Sequence, residues 1–178
     1  MVKIRLIPVG LVDLKILKYI KEGLEDIIGF PVIITKELIP LPKEAYNPLR
    51  KQYNSTYILK LISSISHLKG YQKVLGIVDV DAYVSGLNFV FGEAILGGNA
   101  AVIYLARLRQ EFYDLPPDQN IFLLRTLKEA LHELGHTFGL THCPNPLCVM
   151  HFSNSILDTD RKLAKYCAKC SQKLRSMF

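Results

Sequence analysis

Residues 132–142 read His132-Glu133-Leu134-Gly135-His136-Thr137-Phe138-Gly139-Leu140-Thr141-His142. Two histidines four positions apart lie on one face of a helix, one turn above the other, at a separation suited to a single metal ion. Glu133, between them, points to the side of that pair and can serve as a base without being a ligand. The helix itself cannot bring a third ligand, because another turn carries the chain away from the ion. Gly139 supplies the reversal, since glycine enters a left-handed conformation without steric cost. His142 then arrives from a new direction. Three neutral imidazoles leave a fourth position open, as a catalytic zinc requires. A metal there would acidify a water and polarise a carbonyl, while Glu133 takes the proton and passes it to a leaving amine.

Upstream of this stretch, strand and helix signals alternate. Val2–Val9 reads as a strand, Val12–Ile28 as an amphipathic helix closed by Gly29, and Pro31–Thr35 as a short strand. Residues 38–54 hold Pro40, Pro42 and Pro48 and read as loop. A second helix runs from Ser55 to Gly70, and Val74–Val80 is a buried-type strand. Asn88–Ala94 and Ala100–Leu108 are further strand candidates on either side of Leu96-Gly-Gly-Asn99. Pro116-Pro117-Asp118 opens the helix that carries the histidines, with Asp118 as its cap. A last helix is expected from Asp160 to Met177. The alternation argues for a mixed α/β (α+β) sheet with helices packed on it. Asp79 and Asp81, at a strand end, read as turn and capping residues rather than catalytic acids.

All four cysteines lie beyond the histidine motif, as Cys143/Cys148 and Cys167/Cys170. Two close pairs separated by a spacer suit a tetrahedral four-thiolate zinc site, which is closed and therefore structural. Four free thiols, or a redox pair at Cys167/Cys170, are the alternative. His151 is a rival ligand for either metal, with a plain polar role favoured. The expected cofactors are thus two zinc ions per chain, one catalytic and one structural.

The 178 residues suffice for one domain, with 49% hydrophobic and 21% charged residues. That domain is taken as 1–178, with a sheet-and-helix portion to residue 138 and a small metal-bound subdomain over 139–178. The excess of basic over acidic residues, 22 − 16 = 6, is spread along the chain, so nucleic acid is not the expected partner. No stretch of about 18 apolar residues is free of charge, so no membrane span is expected. The N-terminus lacks the apolar core of a signal peptide, and a cytoplasmic monomer is the expectation.

Taken together, His132, Glu133, His136, Gly139, His142, Cys143, Cys148, Met150, Cys167 and Cys170 resemble the signature of the archaemetzincins, a family of zinc metallopeptidases within the metzincin clan. Arg50-Lys-Gln-Tyr53, Asp79-Val-Asp-Ala82 and Asn88-Phe-Val-Phe-Gly-Glu-Ala94 look like the family as well, so the resemblance covers most of the chain. It implies a metzincin-type zincin fold. In that fold a mostly parallel, twisted, mixed sheet with an antiparallel edge strand sits above a cleft, with a long active-site helix and a zinc-bound C-terminal subdomain. It further implies that Met150 forms an apolar floor beneath the three histidines, the Met-turn. The upper rim of the cleft would be the edge strand Asn88–Ala94, where peptide adds as a further strand. Phe91, Gly92 and Glu93 would then touch substrate, with Gly92 letting its backbone approach closely. An ordinary strand with a bulge is the plainer reading. Tyr166 is one of several tyrosines that could stabilise an oxyanion.

Hydrolysis of peptide bonds in peptides or proteins is therefore the expected activity, a zinc protease of the hydrolase class. The alternative is a zinc-stabilised module that binds peptide or nucleic acid with weak or absent proteolysis.

Overall fold

The computed structural model of the chain describes residues 2–177; Met1 and Phe178, the ends of the expected domain, lie outside the described residues. Five strands form the main sheet in the order β2-β1-β5-β8-β7. They are β1 (Ile4–Val9), β2 (Val32–Ile34), β5 (Lys73–Val78), β7 (Gly92–Ala94) and β8 (Ala100–Tyr104). The first four in spatial order are mutually parallel, and β7 runs antiparallel to β8 at the edge. Alternation along the strands sorts side chains into two cores. Ile4, Leu6, Leu75, Ile77, Ala101 and Ile103 meet α1 (Leu14–Ile28) and α3 (Gln119–Thr137) on one face. Ile7, Val9, Val74, Val78 and Val102 meet α2 (Ser55–Lys69) on the other. Burying both faces is what permits these near-continuous β-branched strands.

Side-chain caps start the helices where the sequence suggested. Asp13 accepts from the Lys15 amide, Asn54 from Tyr57 and Asp118 from Ile121. Among the described residues, no helix is long and apolar enough to cross a membrane.

Several expected boundaries move. Residues 38–54 are not plain loop. They contain β3 (Tyr46–Asn47) and β4 (Gln52–Asn54), which join β6 (Ala82–Tyr83) in a second, three-stranded sheet. Pro42 and Pro48 flank the first of these strands, and the pairing partner at residue 82 is remote in sequence. Strand structure ends at Val78 and Tyr104, and Ala106–Leu108 forms a 3-10 turn instead of continuing β8. Asp79 and Asp81 are more than turn residues. Asp79 takes Arg109 in a two-point pair at 2.5 and 2.6 Å, and Asp81 takes Arg107 at 2.6 and 2.9 Å. These pairs fasten the chain leaving β8 to the chain leaving β5.

The expected last helix is two. α4 (Ile156–Arg161) and α5 (Ala168–Arg175) are separated by a bent, non-helical stretch. That stretch pairs with the loop carrying Cys148: Leu163 donates to the Leu147 carbonyl at 3.0 Å and Val149 to Lys165 at 3.0 Å. Cys167 then caps α5. Helix propensity over this span is overruled by tertiary pairing.

Candidate active site and metal centres

Helix α3 carries His132 and His136 to the cavity wall and ends at Phe138. Gly139 has φ of +85°, and the Gly139 and Leu140 amides donate to His136 and Gly135 carbonyls at 2.8 and 3.0 Å. This is the left-handed stop that turns the chain toward His142. The ring nitrogens of His132, His136 and His142 include one atom from each residue, all within 4.8 Å of one another. His132 Nδ1 lies 2.7 Å from the Val149 carbonyl, and His136 Nδ1 lies 2.7 Å from that of Leu140. A carbonyl only accepts, so both Nδ1 atoms carry the proton and both Nε2 atoms present lone pairs. The two Nε2 atoms sit 3.1 Å apart. Two acceptors held that close repel unless a cation lies between or beside them, so this donor set fits a metal ion. Burial also lowers the proton affinity of all three imidazoles, His132 most strongly, and keeps them in the neutral form a metal needs.

Glu133 is buried at 6% exposure and, among the described residues, makes no hydrogen bond through its carboxylate. Burial, helped by the neighbouring Glu129 and opposed by Lys162, raises its carboxyl well above the usual range. Space for it comes from β7. A Cβ on Gly92 would sit 2.6 Å from both Cγ and Oε1 of Glu133. The space left by the missing side chain of Gly92 is thus taken by the protein's own carboxylate. Gly135 makes room in the same way, because a Cβ there would collide with the Met150 sulfur. Met150 is fully buried under the helix, and its carbonyl accepts from the Cys143 amide at 2.9 Å.

A cavity of about 650 Å³ runs between β7 and α3, walled by His132, Glu133, His136 and His142 on one side and by Phe91, Gly92 and Glu93 on the other. Glu93 borders it, but strand alternation turns its carboxylate toward α2, where Thr56 donates to Oε1 at 3.0 Å. That bond anchors the edge strand to α2, while Glu93 Oε2 is buried and makes no hydrogen bond among the described residues. Tyr166, one of the tyrosines considered for an oxyanion, does not border the cavity. It is 8% exposed, outside the cavity, and its hydroxyl donates to the Leu131 carbonyl at 2.7 Å. His151 takes the polar role, with Nδ1 2.8 Å from the Cys143 carbonyl.

Below the Met150 turn, Cys143, Cys148, Cys167 and Cys170 bring their sulfurs within 4.8 Å of one another, and none forms a disulfide. Cys143 Sγ and Cys167 Sγ are 3.8 Å apart. The Cys170 backbone amide aimed at Cys167 pulls its thiol down to about 7, while burial pushes Cys148 and Cys170 up. Four converging sulfurs with room for one ion suit a tetrahedral thiolate site.

Comparison with known proteins agrees with this chemistry. A sequence profile described as Peptidase family M54 matches residues 7–176. Archaemetzincin of Methanocaldococcus jannaschii is 50% identical over 168 residues, covering 94% of this chain and 90% of the relative. The chain belongs to the archaemetzincins. They are zinc metallopeptidases, so the chain is a hydrolase of that family. Archaemetzincin of Pyrococcus furiosus is 46% identical over 172 residues, covering 94% and 90% of the two chains. The crystal structure of archaemetzincin from Methanopyrus kandleri superposes with a TM-score of 0.84 at 38% identity, over 99% of this chain and 94% of that one. That of Archaeoglobus fulgidus archaemetzincin, complexed with malonate, gives 0.83 at 38% identity, over 96% and 99%. The mixed sheet with its antiparallel edge strand, the long helix α3 and the C-terminal cysteine cluster are the archaemetzincin architecture.

Sequence reasoning overlooked three polar residues near the cavity, Glu129, Thr159 and Lys162. Glu129 lies one turn before Glu133, so helical periodicity alone could have flagged it. Nothing in the sequence marked Lys162, which is buried by tertiary packing at 1% exposure.

Proposed function

We propose that the chain hydrolyses peptide bonds of peptides or partly unfolded proteins, with His132, His136 and His142 holding a catalytic zinc and Glu133 as general base. One observation carries this reading. Three imidazole nitrogens converge beside a carboxylate that makes no hydrogen bond among the described residues, at the wall of a cavity bordered by the edge strand. Zinc bound there supplies Lewis acidity toward water and the scissile carbonyl. Val149 and Leu140 carbonyls fix the rings of His132 and His136 with Nε2 inward. Glu133, held against Gly92, receives the proton of the attacking water and returns it to the departing amine. Among the described residues β7 pairs only with β8, so its outer edge offers backbone groups to an extended peptide. Phe91 borders that edge. Met150 supports the histidines from below as an apolar floor.

Cys143, Cys148, Cys167 and Cys170 hold the second zinc, with a structural role. The two segments, 1–138 and 139–178, act as one domain, because Arg125 and Lys128 of α3 bind Asp160 and the Thr159 and Asp160 carbonyls. The cleft is complete within one chain, in keeping with a monomer. Four unpaired thiols fit a reducing cytoplasm. Zinc analysis together with a peptide-library assay tests the proposal. Two zinc ions per chain are expected, with cleavage by the parent protein and a drop of about 10²–10⁴ in kcat for Glu133→Gln at unchanged zinc content. A zinc-loaded parent that binds library peptides without cleaving any would favour a binding module instead.

A further inference from the structure

Three stretches far apart in the chain, 50–53, 79–82 and 87–91, are joined through one buried side chain. Gln52 is 5% exposed. Its Nε2 donates to Asp81 Oδ2 at 3.1 Å and to the Asn88 carbonyl at 3.0 Å, and its Oε1 accepts from Arg50 Nε at 2.9 Å. Both amide protons are therefore used, and the oxygen is engaged as well. Arg50 reaches the same segment. Its Nη2 donates to the Leu87 and Asn88 carbonyls at 3.0 and 2.9 Å, and its guanidinium lies over the Tyr83 ring at 4.2 Å. Asp81 extends the network, because the Arg107 that it holds lies over the Phe89 ring at 4.3 Å.

The segment gripped in this way is cavity wall. Leu87, Asn88, Phe89, Val90 and Phe91 line the cavity, whereas Arg50, Gln52, Asp81 and Arg107 stand outside it. Residues 84–91 lie outside any strand, and the pairing of β7 with β8 begins at Gly92. Close to β7 the backbone still fixes the segment: the Val90 amide donates to the Ala82 carbonyl at 3.0 Å, and the Phe91 carbonyl accepts from the Tyr104 amide at 2.8 Å. Farther out, at Leu87 and Asn88, side chains hold the carbonyls instead.

We propose that Gln52, with Arg50, is a positioning residue for peptide hydrolysis. It touches neither substrate nor metal. It sets where the 87–91 segment runs, and so the line along which an extended peptide joins the edge of β7. The proposal rests on the peptide-hydrolysis reading. Position 52 needs a group that both donates and accepts. A glutamate there would set a carboxylate against Asp81 and the Asn88 carbonyl with no proton to give. A leucine would leave the Asn88 carbonyl, Asp81 Oδ2 and Arg50 Nε each short of a partner. A peptide that pairs with a strand edge must match it residue by residue, so a displaced rim weakens extended ligands. A ligand that reaches only the metal does not sense the rim.

Two probes separate these effects on the zinc-loaded protein. A phosphinic hexapeptide carries backbone on both sides of its metal-binding group, and acetohydroxamate carries none. Their Kd values are measured by calorimetry for the parent, Gln52→Glu, Gln52→Leu and Arg50→Met, with zinc content and melting temperature as controls. Both Gln52 variants are expected to weaken the phosphinic peptide by about tenfold, while acetohydroxamate stays within about twofold of the parent. Arg50 is exposed, so Arg50→Met keeps the proposal falsifiable should the buried substitutions not fold; the same split is expected there at about threefold. Equal weakening of both probes would give the network a general structural role and overturn the proposal. Unchanged affinity for the phosphinic peptide in any folded variant would overturn it too, and both outcomes leave the hydrolysis reading standing. A zinc-loaded parent that binds neither probe overturns that reading and the proposal with it.

Discussion

The histidine and cysteine clusters meet in the chain at His142 and Cys143, yet their surroundings are opposite. The three imidazoles border a cavity of about 650 Å³, beside a carboxylate that makes no hydrogen bond among the described residues. Three of the four cysteines are buried, and the cluster draws on two loops and the start of α5. Openness on one side and closure on the other follow from how each set is delivered. A helix presents two ligands on one face and leaves the far side of the ion free. Two loops crossing each other surround theirs. The difference teaches that ligand chemistry alone does not separate a reactive site from a structural one; the backbone that carries the ligands does.

Breaking the closed cluster should have the largest effect. Cys148→Ser is expected to remove the zinc proposed for the cysteine cluster and unfold much of the chain beyond Gly139. A structural thiolate zinc contributes on the order of 10 kcal/mol to such small units. Hydrogen exchange should show loss of protection over residues 143–175, and normal protection there would contradict the structural role. Next comes selective metal removal. A mild chelator should strip the open histidine site first, abolishing activity while the melting transition persists and about one zinc per chain remains. Simultaneous loss of both ions would show that the two sites are not so different.

A smaller effect is expected at the wall of the cavity. Gly92→Ala puts a methyl into Glu133 and displaces its carboxylate, so kcat should fall by about 10–100-fold with zinc content unchanged. Unaltered kinetics would mean that Glu133 acts from another position. The smallest effect concerns stability of the metal-free protein. Burial raises the Glu133 carboxyl in the folded chain above its unfolded value. The folded state then binds the extra proton between those two values, so this group's contribution to stability falls as pH rises through that interval. Glu133→Gln should therefore melt higher than the parent at neutral pH, by about 2–4 °C for each 1 kcal/mol relieved. The gap should close below about pH 4, where the carboxyl is protonated in both states. A gap independent of pH would remove ionisation as its cause.

Much of the open site was legible because helical spacing is a local rule. His132, Glu133 and His136 share their arrangement by periodicity, and Gly139 announces the reversal by its conformational freedom. The cysteine cluster was legible from pairing alone. The partition of the last helix was not, because Leu163 and Lys165 find their backbone partners at Leu147 and Val149. Nor were the arginine pairs at Asp79 and Asp81, since they join two strand ends about 30 residues apart, nor the small sheet that ties residue 53 to residue 82. That Gly92 also gives room to Glu133 was not legible, because only the folded chain places β7 over that side chain.

By itself, the sequence determined which atoms were available for metal chemistry and roughly how the backbone would present them, since side-chain type and short-range spacing are written in it. Tertiary structure decided what each group faces: Glu93 toward α2, Tyr166 beneath the helix, and Lys162 sealed against Glu129. Those outcomes depend on burial and on contacts between distant segments, and burial is a property of the packed chain rather than of any stretch of it.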